Sequence, residues 1–207
     1  MMGLRLVLVR HGETQWNREK RTQGQTDTAL TPLGREQAEL LARSLRNEEL
    51  VAAYTSSLKR ARETAERIMS FHSTELVSCD ELMELDHGVL EGMSAEEMRE
   101  QYGSFLDSWL AAPARLRLPD GETLQELQER TWRFMEHVKG VHQEGTVVAV
   151  SHNLALRTIL CKVLGMDLNH IRRIRQDVAC KNILEFRDDH IQVVLMNGTD
   201  HLRSLDV

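Results

Sequence analysis

The chain has 207 residues, of which 41% are hydrophobic and 28% are charged, and its formal net charge is -6. This length fits one domain with a well-buried core, and the acidic balance argues against a dedicated nucleic-acid or membrane-surface binder. No apolar stretch approaches the roughly 20 residues that span a bilayer. Cys79, Cys161 and Cys180 form no CxxC pair, and we find no secretory leader, so we expect free thiols and a cytoplasmic protein.

Strands and helices are predicted to alternate in the first half of the chain. Thr31 and Pro32 are typical of a helix start, as N-cap and first-turn residue. Ser57 is the predicted N-cap of the next helix. The predicted order is strand, helix, strand, helix and short edge strand, at residues 4–9, 31–46, 51–55, 57–71 and 76–77.

The second half begins with a less regular stretch at residues 82–120, which we interpret as a lid-like insertion covering one end of the sheet. Two short helical pieces are predicted within it, at 95–101 and 105–110. The elements that follow are a long helix, a strand, a helix and a hairpin, at 121–142, 146–150, 154–164, and 183–186 with 191–195. The pattern predicts a single α/β domain, a three-layer sandwich with a mostly parallel central sheet flanked by helices.

Polar side chains follow three of the predicted strands. Arg10 and His11 follow the first strand, residues 56–60 the second, and residues 151–153 a later one. In open α/β sheets the ligand crevice lies beyond the carboxyl ends of the strands. A lone histidine is more often a core or loop residue, but two histidines and two arginines at equivalent strand ends favour a phosphate site. A basic cluster near the first strand is either a rim that attracts anions or a solvated loop: Arg18, Lys20 and Arg21.

Several segments together resemble one known family, the histidine phosphatase superfamily, which includes cofactor-dependent phosphoglycerate mutases and many phosphomonoesterases. The resemblance spans roughly residues 4–165 and implies a phosphoglycerate mutase-like fold. The matching segments are LVRHGETQWN at 8–17, QG at 23–24 with Asp27 and Leu30-Thr31, SLKRARETA at 57–65, LMELDHGVLEG at 82–92, GET at 121–123 and SH at 151–152.

The resemblance implies catalytic roles for the residues at the strand ends. His11 would be the nucleophile that accepts the phosphoryl group, with one ring nitrogen held by an acceptor, for which we expect a backbone carbonyl. Arg10 and Arg60 would clamp the phosphoryl oxygens, since a guanidinium donates two parallel hydrogen bonds. His152, expected to be positively charged, and Asn17, a neutral donor, would complete the site.

A carboxylate is implied as the acid that protonates the leaving oxygen and then as the base that activates water. The family pattern L-x-E-x-x-x-G-x-x-E-G places Glu84 in this role. Glu91 and Glu13 remain alternatives, and either would otherwise be structural.

Four further residues are candidates for binding phosphate or substrate. Gln23 and Gly24 lie in a matching segment. Asn153 stands where the family most often has glycine, and we expect its N–H, at a helix N-terminus, to contribute to anion binding. His87 would read a carboxylate or amine of the substrate, because residues 85–88 are similar to those of metal-independent phosphoserine phosphatases; otherwise it is a surface histidine. Asp200-His201 is another segment that would reach the site.

The favoured function is a metal-independent phosphomonoesterase, with no cofactor, acting on a small phosphorylated metabolite through a phosphohistidine. We find neither metal-ligand spacing nor a GxxxxGK[ST] loop in the sequence. The alternatives are a cofactor-dependent phosphoglycerate mutase, disfavoured by the compact segment 84–121, and a non-catalytic phospho-ligand-binding protein.

Phosphoserine, phosphoglycerate, sugar phosphate and ribazole phosphate remain open as substrates. Strand 191–195 would allow a homodimer, unless charged neighbours prevent edge pairing.

Overall fold

The computed structural model describes residues 3–205. Its strands are β1 (Leu4–Arg10), β2 (Leu50–Thr55), β3 (Leu76–Ser78), β4 (Gly145–Ser151), β5 (Lys181–Phe186) and β6 (Ile191–Gly198). Its α-helices are α1 (Gln15–Arg18), α2 (Pro32–Leu45), α3 (Lys59–Met69), α4 (Ala95–Ala111), α5 (Leu124–Val141) and α6 (Asn153–Val163). Short 3-10 turns lie at Asp80–Leu82, Gly88–Leu90, Leu168–Arg173 and Asp200–Leu205. Within residues 3–205, no helix is long and apolar enough to cross a lipid bilayer.

All six strands form one sheet in the order β3-β2-β4-β1-β5-β6. β1, β2, β3 and β4 are parallel to one another, whereas β5 pairs antiparallel to β1 and β6 antiparallel to β5. The predicted mostly parallel α/β sheet is therefore confirmed. The carboxyl ends of β1, β2 and β4 lie side by side at one edge, because Arg10 is in register with Ser151, and Thr55 with Val150.

Each face of the sheet carries its own core. In β1, Leu6 and Leu8 point into the larger core, which contains residues of α5 and α6. Val7 and Val9 point to the opposite face, into a core with residues of α2 and α3. This alternation of buried side chains is what a strand covered on both faces requires. The helices thus form two outer layers around the sheet, as the three-layer prediction stated.

Helix boundaries follow the predicted caps with two corrections. One is at α5, which begins at Leu124 with Thr123 as its N-cap, not at residue 121. The Thr31 hydroxyl accepts a hydrogen bond from Gly34 N at 3.0 Å at the start of α2. α3 begins at Lys59 with Leu58 as its N-cap, not Ser57, and Lys59 N donates to the Asp27 carboxylate at 2.7 Å. Non-helical dihedrals at Tyr102 divide α4 into the two predicted pieces. The short helix α1 is absent from the sequence-based prediction.

The loop after β1 packs against the start of α2 through two glycines. A Cβ atom on Gly12 would lie 2.4 Å from the Gly34 carbonyl oxygen, and one on Gly34 would lie 2.1 Å from the Glu13 carbonyl oxygen. Both contacts are with backbone, which cannot swing aside as a side chain can. This close approach fixes the segment that carries His11.

We expect Gly34→Ala to lower the free energy of unfolding by about 1–3 kcal/mol, because the added methyl group forces the two backbones apart. Gly140→Ala is the matched control, since a Cβ there meets no atom within 4 Å. It should raise stability by about 0.5–1 kcal/mol through helix propensity. Urea unfolding of both variants measures the difference, and equal effects would contradict the close-packing argument.

Candidate active site

Three predicted site residues meet at the carboxyl edge of the sheet. His11 follows β1, Arg60 lies in the first turn of α3, and His152 is the N-cap of α6. The Arg60 Nε–H donates to both imidazoles, at 3.3 Å from His11 Nε2 and 3.2 Å from His152 Nδ1. The ring centroids of the two histidines are 5.1 Å apart. The predicted convergence of these strand ends is confirmed.

The hydrogen bonds around His11 fix its tautomer. Its Nδ1 lies 2.7 Å from the Gly12 carbonyl oxygen, which only accepts, so Nδ1 carries the proton and Nε2 keeps its lone pair. The expected backbone acceptor is therefore present. Burial and the nearby positive charges of Arg60 and Arg10 hold the pKa of His11 well below its ordinary value. A neutral ring whose Nε2 carries no proton is the state a nucleophile needs.

His152 is held differently from the prediction. Its Nδ1 accepts from Arg60, and its Nε2 lies 2.8 Å from the Ser56 hydroxyl oxygen, so both ring nitrogens are engaged. Burial, followed by the positive charge of Arg60, lowers the pKa of His152 well below its ordinary value. The structure therefore favours a neutral His152, and the expectation of a positive charge is wrong. Its donation to a phosphoryl oxygen stays a prediction.

Arg60 is a fully buried guanidinium with its orientation set by backbone. Nη2 donates to the Gly24 carbonyl at 2.6 Å and Nη1 to the Thr26 carbonyl at 3.0 Å. Burial lowers the pKa of Arg60 to about 10, against opposing carboxylates of which Glu84 is the strongest. Arg62, two residues further along the same helix, is exposed.

Arg10 lies at the cavity wall with part of its guanidinium unpaired. Its Nη1 donates to the Gln176 carbonyl at 2.7 Å, whereas its buried Nε has no hydrogen-bond partner among the described residues. Within residues 3–205, neither Arg10 nor Arg60 forms an ion pair with a carboxylate. Two desolvated cations without counter-charge create a strong preference for an anion.

The Glu84 side chain is buried against the N-terminus of α6. Its carboxylate accepts hydrogen bonds from the backbone N–H groups of Leu85 at 2.8 Å, Leu154 at 3.1 Å and Ala155 at 3.2 Å. Such donors stabilise a carboxylate and fix its position. The N–H groups of Leu154 and Ala155, at the N-terminus of α6, are thus occupied by Glu84, whereas anion binding by the Asn153 N–H stays a prediction.

Arg130, which the sequence reasoning missed, organises the segment that carries Glu84. It donates to the carbonyls of Met83 and Glu84, both at 2.7 Å, and to that of Glu81 at 3.1 Å. It also pairs with Glu122 through two hydrogen bonds of 2.8 Å. The GET segment at 121–123 was the available signal, but the sequence does not show which side chain pairs with Glu122.

The other carboxylate candidates have structural roles. Glu91 accepts from the backbone N–H groups of Gln25 at 2.6 Å and Thr26 at 2.7 Å, and so holds the loop whose carbonyls orient Arg60. Glu13 accepts from the Thr31 hydroxyl at 2.8 Å and pairs with Arg18. Both carboxylates thus hold loops, and of the three candidates only Glu84 lines the cavity over His11.

A cavity of about 680 Å³ opens over His11. Among the predicted residues, its lining contains Arg10, His11, Asn17, Gln23, Glu84, His87 and Asn153. Arg60, His152 and Gly24 are not part of the lining and lie beside or behind His11. Positive charge is in excess in the lining, because five cations face the two carboxylates of Glu84 and Asp177: Arg10, Lys20, Arg21, Arg175 and Arg203.

The polar neighbours of the cavity differ in how firmly they are held. The Asn17 side-chain amide donates to Gln23 Oε1 at 3.2 Å, so these two side chains support each other. His87 Nδ1 lies 2.9 Å from the Leu85 carbonyl oxygen, which leaves Nε2 for a ligand. His201 turns away and contacts the Ala179 carbonyl oxygen at 3.0 Å. Arg203 from the same C-terminal turn lines the cavity instead.

The geometry can be compared with known proteins. The model of the histidine phosphatase superfamily (branch 1) matches residues 6–199. Phosphoserine phosphatase 1 of Hydrogenobacter thermophilus is 35% identical over 199 residues, covering 96% of this chain and 94% of that protein. A probable phosphoglycerate mutase GpmB of Escherichia coli is 34% identical over 172 residues, covering 83% and 80%.

Solved structures agree with this match. Bacillus stearothermophilus YhfR superimposes with a TM-score of 0.91 at 30% identity, covering 97% of this chain and all of that one. A phosphoserine phosphatase variant from Entamoeba histolytica, in complex with phosphoserine, gives a TM-score of 0.84 at 27% identity, covering 96% and 99%. The chain belongs to the histidine phosphatase superfamily. The predictions of this family and of a phosphatase within it are confirmed.

Metal-binding clusters were also sought. In the part of the chain that the structure describes, no three histidine, cysteine, aspartate or glutamate side chains are grouped closely enough to hold a metal ion.

We expect Arg130→Gln to lower kcat for an aryl phosphate by about 10- to 100-fold with KM changed less than about threefold, since a shifted Glu84 impairs proton transfer rather than binding. Arg130→Lys should recover part of this loss. Arg133→Gln, an exposed change on the same helix, is the control and should behave as wild type. A raised KM at unchanged kcat would show that Arg130 does not act through Glu84.

The lowered pKa of His11 also predicts pH-dependent stability. The unfolded chain takes up a proton on His11 below about pH 6.5, whereas in the folded chain the lowered pKa keeps His11 neutral, so this contribution to stability falls as the pH falls. From about pH 7 to about pH 5.5, His11→Asn should lose about 1 kcal/mol less than wild type. Urea unfolding at both pH values measures this, with the exposed His170→Asn as control. Equal losses in wild type and His11→Asn would refute it.

Proposed function

We propose that this phosphatase hydrolyses the phosphate monoester of a small metabolite through a phosphohistidine on His11, without a metal ion. The observation that carries the proposal is the pair of guanidiniums, Arg10 and Arg60, that flank a neutral histidine without carboxylate partners. Stabilising the charge of the transferring group is the main task in phosphoryl transfer. The two arginines supply the positive charge that metal ions supply in other phosphatases.

In the first step, His11 Nε2 attacks phosphorus and the ester P–O bond breaks. The departing oxygen takes the proton of the Glu84 carboxyl group, which gives the free alcohol, a phosphohistidine and a Glu84 carboxylate. Both His11 and Glu84 line the same cavity, which supports this division of roles. The Gly12 carbonyl keeps the Nδ1 proton in place, so that the ring attacks through Nε2.

In the second step, the Glu84 carboxylate removes a proton from a water molecule, whose oxygen attacks phosphorus. The P–N bond breaks, its electron pair returns to His11 Nε2, and inorganic phosphate leaves. The N–H groups of Leu154 and Ala155 stabilise the carboxylate that acts as base here. Glu84 is protonated again at the end of the cycle, so the two steps together consume one water.

Phosphoserine is one substrate that relatives suggest, since a related phosphatase carries its name and another was solved with it bound. A mutase is the second candidate, because a relative is called a probable phosphoglycerate mutase. In a mutase the same phosphohistidine would pass its phosphoryl group to a sugar acid rather than to water. Asn17, Gln23, His87 and Asn153 are the lining residues we propose to contact the substrate.

The test is phosphate release from para-nitrophenyl phosphate, phosphoserine and 3-phosphoglycerate in the presence of EDTA. We expect release by the wild type, a loss of about 10³-fold or more in His11→Ala, and a loss of about 100-fold or more in Arg60→Ala. Arg62→Ala is the matched control on the same helix and should keep wild-type activity.

Three results would separate the alternatives. Activity abolished by EDTA and restored by a divalent metal would refute the metal-independent mechanism. Isomerisation of 3-phosphoglycerate with a bisphosphate primer, without phosphate release, would identify a mutase. Binding of phosphate esters without turnover of either kind would favour a non-catalytic phospho-ligand-binding protein.

A further inference from the structure

A second cavity of about 520 Å³ lies beside the first and has a different chemical character. We call it the apolar groove. Most of its lining side chains are hydrophobic: Leu90, Met98, Phe105, Leu106, Trp109 and Leu118. Leu90 and Leu118 are buried, whereas the α4 residues are partly exposed. Covering exposed apolar surface of this kind with an apolar group is favourable.

The base of the apolar groove is firmly built. The Gly88–Leu90 turn approaches the segment after Leu118 so closely that a Cβ on Gly88 would lie 2.0 Å from the Pro119 carbonyl oxygen. Val89 N donates to that carbonyl at 3.2 Å, and Glu122 N donates to the Asp86 carbonyl at 2.9 Å. These backbone contacts hold the base in place before any ligand binds.

Contacts of two arginines outside the groove hold its α4 wall in place. Arg99 pairs with Asp107 across the kink at Tyr102, at 2.5 Å. Arg172 donates to the Leu110 carbonyl at 2.8 Å and stacks 5.9 Å from the Trp109 ring centroid. The groove is therefore a preformed feature, which lowers the entropic cost of filling it.

The apolar groove adjoins the phosphate cavity. Thr22 and His87 line both spaces, so these two residues lie at the boundary between them. A molecule with its phosphoryl group at His11 that extends past His87 enters the groove. The cationic cavity and the apolar groove together match an amphipathic ligand, with a phosphate at one end and a hydrocarbon group at the other.

We infer that the substrate is a phosphate monoester whose alcohol carries an alkyl or aryl group, and that this group occupies the apolar groove. The inference rests on the proposed hydrolysis at His11. Serine and glycerate leave such a groove uncovered, because their non-phosphate ends are charged and short. The occupant is thus the leaving-group portion of the substrate, and His87 and Thr22 contact it at the boundary.

The test is a series of straight-chain alkyl phosphates, from ethyl to octyl, assayed for kcat/KM. These esters share nearly the same leaving-group chemistry, so a trend reports binding rather than reactivity. We expect kcat/KM to rise about two- to fourfold per added methylene until the groove is filled. Leu106→Gln and Leu110→Gln should reduce this slope, the rise in kcat/KM per added methylene, without changing activity on ethyl phosphate. Leu164→Gln, 49% exposed and outside both cavities, is the matched control and should keep the slope.

The outcomes separate this inference from the proposed function. Equal kcat/KM for all chain lengths, with phosphate still released, would overturn the groove assignment and leave the hydrolysis intact. If no ester is hydrolysed, the proposed function fails, and calorimetric binding of the matching alkylphosphonates decides on the groove. Affinity that rises with chain length in the wild type, and not in Leu106→Gln, would support it; constant affinity would overturn it.

Discussion

The site depends on the hydrogen bonds that the buried guanidinium of Arg60 donates. Its Nε–H bridges two imidazoles that come from different strand ends, and its terminal nitrogens are fixed by backbone carbonyls of Gly24 and Thr26. A buried charge with no carboxylate in direct contact is costly unless an anion is supplied. The surrounding fold maintains this arrangement: Glu91 orders the carbonyl-bearing loop, and Asp27 fixes the first turn of α3.

The same charge determines the protonation of its neighbours. Because His11 and His152 are buried beside the positive charges of Arg60 and Arg10, neither imidazole readily takes up a proton. In the proposed mechanism a neutral His11 attacks phosphorus, so the cations proposed to bind the phosphoryl group also keep the imidazole unprotonated. Glu84 is stabilised separately, by the N-terminus of α6, and does not neutralise Arg60 by direct contact. Anion binding and proton transfer are thus assigned to different parts of the fold.

Sequence reasoning predicted the sheet and the convergence of His11, Arg60 and His152. It could do so because strand periodicity and strand ends are local patterns with fixed geometric consequences. It did not predict the neutral state of His152, because that state depends on burial among residues distant in sequence. Arg130 was missed for the same reason, since its carbonyl partners lie more than forty residues away. The apolar groove likewise arises from two segments that only the folded chain brings together.

The central claim, that His11 carries the phosphoryl group, is tested most directly by trapping it. Wild-type protein is mixed with para-nitrophenyl phosphate, stopped in alkali, in which phosphohistidine survives, and digested for mass spectrometry. The account predicts one phosphoryl group on the peptide that contains His11, lost on treatment with acid and accumulating in Glu84→Gln. Phosphate release with no labelled peptide, or a label on Ser56 or His152, would contradict it.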